Sequence, residues 1–182
     1  MKKTIITSIM LIAIMFYAKA QNEQTLVDRF SVKAGLIGVW IGYEKAFSDH
    51  FTLNSEIGYE GGFFGGSSHE NNFNYISSMS LSVEPRYYYN VARRIRKGKR
   101  VRNNSANFIS AEIQAFPDWL TSTNANDVNV VKTFGIVPKY GLNRSISEHL
   151  NFEFAIGVGY AWGEDSYSDV TGALDLRLSF DF

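Results

Sequence analysis

The chain has no cysteine, and only three prolines and three histidines in 182 residues. Without cysteine there is no disulfide, no thiolate metal site, no cysteine nucleophile and no acylated lipoprotein anchor. Three dispersed histidines give no metal-ligand spacing, so neither a metal nor another cofactor is expected. A surplus of either charge is also lacking, since eighteen Lys and Arg balance eighteen Asp and Glu. A composition 20% charged is too polar for a helical membrane protein, and one 45% hydrophobic is too apolar for a disordered chain. The length allows one domain.

The longest apolar run, Ile5 to Tyr17, is broken early by Thr7 and Ser8. It falls short of the roughly 20 residues a membrane helix needs. Lys2 and Lys3 precede it and Ala18-Lys19-Ala20 follows as a small-x-small cleavage site, the pattern of a secretory signal peptide. Residues 1–20 are therefore expected to be removed, leaving 21–182 as one domain with fifteen basic and eighteen acidic side chains. A secreted chain without disulfides must draw its stability from packing or from a membrane.

What the sequence has in abundance is two-residue alternation. Val170, Gly172, Leu174, Leu176, Leu178, Phe180 and Phe182 share one face, and Thr171, Ala173, Asp175, Arg177, Ser179 and Asp181 share the other. A helix would mix these faces; a strand keeps them apart. The same pattern recurs over 151–162, 133–143, 109–115, 78–89 and 51–60. Residues 30–47 read as two shorter strands folded at Ile37-Gly38, giving eight strands in all. Several exceed the common globular length of about 5 or 6 and reach the roughly 9 to 11 of a membrane-spanning strand. Connectors alternate, tight at 48–50 and 147–149 and longer at 63–72, 120–128 and 163–169. The fold class expected is an all-β, eight-stranded antiparallel up-and-down transmembrane β-barrel.

Alternation alone does not say which face is inside, because a soluble, secreted lipocalin-like binding barrel has the same period. Three features favour a polar interior. Gly35, Gly42, Gly58, Gly135, Gly141, Gly157 and Gly159 lie on the polar face, where they would make room for Arg and Tyr in a narrow lumen. Tyr87, Tyr89, Tyr140, Tyr160 and Trp162 lie near strand ends on the apolar face, as an aromatic girdle would. That face carries charge only at Lys45 and Lys132, both at strand ends.

With these alternating strands, the leader and the terminal Leu178-Ser179-Phe180-Asp181-Phe182, the chain resembles the small outer-membrane barrels of the OmpA and OmpX type. Arg86-Tyr-Tyr-Tyr-Asn90, the basic stretch after it and Asn103-Asn104-Ser105-Ala106-Asn107-Phe108 also resemble small barrel proteins of Bacteroidota. The resemblance implies residence in the outer membrane of a Gram-negative envelope, lipid as surroundings, and biogenesis through the outer-membrane assembly machinery. Leu178, Phe180 and Phe182 would then form the assembly signal.

Three groups of residues are candidates for function. Lys33, Glu44, Glu56, Glu84, Arg86, Glu112, Lys139, Glu153, Asp175 and Arg177 fall on the polar face and are expected to form a lumen network. It would serve either as a structural plug or as a porin-like, cation-preferring path. Arg93, Arg94, Arg96, Lys97, Lys99, Arg100 and Arg102 form a basic link on the side of the tight turns, the periplasmic side in the barrel reading. Nucleic acid is the usual partner of such a run, but this compartment offers none, and anionic lipid or an acidic envelope partner fits better. The Gly-, Ser- and Asn-rich links 61–75 and 120–128 read as external loops able to meet a surface ligand. Ser67, Ser68, His69 and Glu70 are adjacent in sequence and lack the strand-fixed geometry that orients a nucleophile. The expectation is a non-enzymatic protein with a structural or surface-interaction role.

Overall fold

The computed structural model describes residues 26–65, 73–124, 131–164 and 168–182. The expected signal peptide and Ser67, Ser68, His69 and Glu70 lie outside them. The strands are β1 (Arg29–Gly35), β2 (Gly38–Ala46), β3 (Phe51–Gly65), β4 (Phe73–Tyr87), β5 (Asn107–Phe116), β6 (Ser122–Thr123), β7 (Thr133–Ser145), β8 (Leu150–Gly163) and β9 (Ser168–Asp181). A short helix α1 (Val91–Arg96) and a 3-10 turn at Arg102–Asn104 lie between β4 and β5.

Each long strand pairs antiparallel with its neighbours, and β9 returns to pair with β1, from Ser31↔Asp181 to Gly35↔Arg177. Eight strands thus close into a ring, while β6 adds two residues to the edge of β4. The period of two reads correctly through the ring; the strand ends do not. β3 runs on to Gly65 and β4 begins at Phe73, so much of the expected loop 61–75 is hairpin. Glycine and serine there mask the alternation that would have extended the strands. Pro85 and Pro138 lack the N–H a ladder needs, and register contacts are missing beside both, between Val83 and Arg86 and between Ile136 and Lys139.

Up-and-down order sorts the connections into two ends. The turn end holds residues 47–50, 88–106 and 146–149 with both described termini; the loop end holds 36–37, 117–124, 131–132 and Glu164. The 88–106 link is exposed along its basic stretch and buried at both ends. It folds back under the ring, where Val91 and Ala106 join Leu26, Tyr88 and Phe108 in a small apolar cluster that closes the turn end. Asn103 and Asn104 adopt positive φ, a conformation asparagine tolerates better than most residues. Asn104 then clamps Val27, accepting from its N–H at 2.9 Å and donating to its carbonyl at 3.0 Å. Asn143 Nδ2 donates to the Asn103 carbonyl at 2.7 Å. The asparagine-rich motif is thus a backbone device that fastens the link to β7 and the N-terminal segment.

Candidate functional site: the charged interior and its open end

The ring is inverted relative to a water-soluble domain. Large apolar side chains are exposed all round it, among them Val32, Ile41, Ile57, Val83, Ile109, Ile136, Ile156, Leu174 and Leu176. Aromatic side chains flank this zone on both sides, with Phe134, Tyr160 and Trp162 towards the loops and Phe30, Tyr87, Tyr89, Tyr140, Phe180 and Phe182 towards the turns. Charged side chains are buried instead. All ten residues of the expected lumen network lie inside the ring and are at most 6% exposed.

Two further members were missed. Arg29 lies just before the expected start of β1, and Asp181 lies next to the chain end, yet each is only 4% exposed. Parity extended by one residue would have found Arg29, and Asp181 already shared the polar face. Near the turn end, Arg29 Nε donates to Glu44 at 2.6 Å and Nη1 to Asp181 at 3.0 Å. Glu44 also accepts from Thr52 at 2.5 Å and from the Tyr88 hydroxyl at 2.8 Å. Midway, Arg86 grips Glu153 through two bonds of 2.8 and 3.0 Å and binds Glu84 with its other donors. Lys33 meets Glu56 at 2.5 Å and Glu153 at 3.5 Å. Nearer the loops, Arg177 spans Glu56 at 2.8 Å and Asp175 at 2.6 Å. Lys139 Nζ lies 2.8 Å from Asp175 and 3.1 Å from both Glu84 and Glu112.

Shared partners join these pairs into one network of seven carboxylates and five bases. Such burial is tolerated only where partners and hydrogen bonds replace lost water. Two aromatic rings complete the replacement: the Arg86 guanidinium lies 4.5 Å from the centre of Phe108, and that of Arg177 lies 4.1 Å from Trp40. This corrects the expected role of the lumen glycines. A β-carbon at Gly58 would sit 2.1 Å from Trp40, and one at Gly141 would sit 2.3 Å from Phe108. The glycines admit Trp40 and Phe108, and these two in turn carry the arginines.

Towards the loops the packing stops. A cavity of about 640 Å³ opens above Glu112, Asp175 and Arg177, with Glu60, Gln114, Thr133, Ala161 and Ala173 among its walls. At the opposite end six of the seven expected basic residues, Arg93, Arg96, Lys97, Lys99, Arg100 and Arg102, are exposed. Arg94 is half-buried and donates to the Arg100 carbonyl at 2.8 Å, tying the link to itself. Leu178, Phe180 and Phe182 lie on the exterior. His50 and His149 lie at the turn end, stacked on Tyr87 and Phe180. No group of His, Asp or Glu among the described residues is placed to hold a metal ion.

These observations define an all-β chain closed into an eight-stranded ring, ionic within and apolar without. The family described as "Protein of unknown function (DUF3575)" matches residues 6–172, and the chain belongs to it. No curated protein and no solved structure matches it.

Proposed function

We propose that the chain is an integral β-barrel of the bacterial outer membrane, comparable to the OmpA and OmpX type, with a non-enzymatic structural or surface-interaction role. The observation that carries this reading is the inverted surface: a ring of charges at most 6% exposed inside, and an uncharged belt of exposed Val, Ile and Leu between two aromatic zones outside. In water such an exterior would aggregate; facing lipid it is the favoured arrangement. A soluble lipocalin-like barrel needs the opposite orientation, with its apolar face inward. Strands of 13 to 15 residues exceed the roughly 9 to 11 that span a bilayer.

In this reading the basic link lies beside the turn-end tyrosines, at the level of periplasmic headgroups. Attraction to an anionic surface there is worth about 1 kcal/mol per nearby base. Leu178, Phe180 and Phe182 serve recognition by the assembly machinery. The competing reading is a small cation-preferring channel, favoured by the carboxylate surplus. The ionic network and the apolar cluster of Tyr88, Phe108 and Val91 at the turn end favour a plug.

The test is refolding of residues 21–182 into lipid, followed by planar-bilayer recording. The expected outcome is a detergent-requiring protein whose migration on gels changes with heating and which is electrically silent once inserted. Steady cation-selective current, altered by Glu84→Gln or Arg86→Ala, establishes the channel instead. A monodisperse protein without detergent overturns both membrane readings.

A further inference from the structure

The wall of the ring is low on one side. β1 and β2 turn back at Leu36 and Ile37, so β9 meets β1 only over Arg177–Asp181 and β2 meets β3 only up to Glu60. Beyond that, β9 from Ser168 to Leu176 has β8 as its sole ladder partner among the described residues, and β3 after Gly61, whose N–H still donates to the Ile37 carbonyl at 2.9 Å, has β4 alone. A strand edge without a partner is costly wherever water is scarce. The Tyr160↔Val170 and Ile156↔Leu174 pairings keep this edge beside the aromatic and aliphatic exterior rather than far beyond it.

The loop-end cavity lies against this gap. Its lining includes Thr171 and Ala173, on the interior face of β9, together with Val170 and Leu174, which are 65% and 60% exposed on the exterior face. Val170 to Asp175 line it without a break, along a stretch of β9 that has no β1 partner among the described residues, so the cavity reaches this strand edge as well as opening along the ring axis. Among the described residues nothing fills the opening. A β-carbon built at Gly62 meets no atom within 4 Å, and one at Gly172 meets only a carbonyl oxygen, at 3.8 Å.

The chemistry of the cavity is two-sided. Ile37, Ile76, Val170 and Leu174 give it apolar walls near the gap. Its floor carries Glu112, 6% exposed. Its ion-pair partner, Lys139, is shared with Glu84 and Asp175. Arg177 is already committed to Glu56 and Asp175. Glu60 adds a further carboxylate to the wall with no ion pair among the described residues. The lining brings three carboxylates, Glu60, Glu112 and Asp175, against the one guanidinium of Arg177, which favours a cationic head, and the side opening accommodates a hydrocarbon chain.

We propose that the cavity binds a single-chain amphiphile with a cationic head. The ammonium sits against Glu112 and Asp175, and the chain leaves between β9 and β3 into the surrounding lipid. This rests on the membrane reading above. The experiment therefore begins by verifying insertion into lipid nanodiscs through heat-modifiable migration, a step whose failure counts against the membrane reading alone. Decylammonium, decanol and decanoate are then titrated at equal bilayer mole fraction, with the methyl NMR signals of Ala161 and Ala173 as the readout.

Saturable shifts are expected for decylammonium, at least tenfold tighter than for decanol or decanoate. Gly172→Phe, placed in open space so that the fold is kept, is expected to weaken decylammonium at least fivefold. It should leave butylammonium, which enters from water, within twofold. Glu112→Gln is expected to weaken both amines at least tenfold. Equal binding of decanoate, indifference to Gly172→Phe, or absence of saturable shifts in inserted protein would each overturn the proposal. If Glu112→Gln fails to fold, the decanoate and Gly172→Phe arms still decide it.

Discussion

The two halves of the interior solve one problem in opposite ways. Towards the turns, charge is tightly partnered: Arg86 is wholly buried, each of its three guanidinium nitrogens meets Glu84 or Glu153, and Phe108 covers its face. Towards the loops, Glu112 shares Lys139 with two other carboxylates and borders a cavity of about 640 Å³. The difference follows from strand geometry. Where all eight strands are present the lumen is only as wide as its side chains; where β1 and β2 have turned back, these two strands supply no inward residues to fill it. A complete wall favours a plug, and a low wall leaves a site.

The largest effect is expected from breaking the packed half. Arg86→Met removes the base from between Glu84 and Glu153 and leaves two buried carboxylates short of a partner. Stranding buried charge of this kind costs about 3 to 5 kcal/mol. Urea unfolding of the vesicle-inserted protein measures it. The double variant Arg86→Met with Glu153→Gln is expected to recover part of the loss, because one stranded charge is gone. A loss below about 1 kcal/mol for Arg86→Met would mean that water reaches the network and that the turn end is not a dry plug.

The contrast sharpens with one substitution made in both halves. Glu153→Gln removes a carboxylate that engages Arg86, Lys33 and Arg29, leaving bases uncompensated at a cost of about 3 kcal/mol. Glu112→Gln removes one of three carboxylates around Lys139, so the lysine keeps two partners. The expected change is within about 1 kcal/mol, because the remaining pairs and the open cavity absorb it. Equal losses in the same unfolding assay would show that the loop half is as tightly partnered as the turn half.

Which residues point inward was legible in the sequence because a strand's side-chain period is invariant and a slip of one residue reverses every position at once. Ten charged positions from Lys33 to Arg177 therefore fall inside the ring without knowledge of any contact. Strand ends were less legible. Gly61, Gly62 and Ser77 carry no hydropathy contrast, so the reach of β3 and β4 was hidden in what read as a loop. The low wall was present in the text as two short strands, but its consequence needed the register: only the pairing Gly35↔Arg177 shows how much of β9 stands without a second partner. The aromatic supports were hidden for a different reason. Trp40 and Phe108 are apolar residues on an otherwise polar face, and their function appears only once Arg177 and Arg86 are seen to lie over them.

The smallest expected effect lies outside the lumen, where the segment before β1 meets the end of β2, and it marks the lower end of the scale. Asp28 precedes β1 and accepts from the Ala46 N–H at 2.9 Å, from the Tyr43 hydroxyl at 3.1 Å and from Lys45. Burial acts to raise its carboxyl, but these donors and the Lys45 charge outweigh it and hold the group below its usual value. A depressed carboxyl stabilises the fold above its unfolded value, about pH 4, and that contribution is lost as pH falls through the folded value. Both partners are well exposed, at 42% for the Lys45 side chain and 39% for that of Asp28, so solvent screening limits the pair to about 0.5 kcal/mol or less. Asp28→Asn keeps an oxygen for the Ala46 N–H and removes only the charge. Its unfolding midpoint is expected to fall slightly at pH 7 and to converge on that of the parent as pH falls below the usual carboxylate range. A gap that stays constant across that range would assign the effect to lost hydrogen bonding rather than to charge. A loss at pH 7 as large as that of Arg86→Met would place Asp28 within the ionic frame of the ring instead of at its margin.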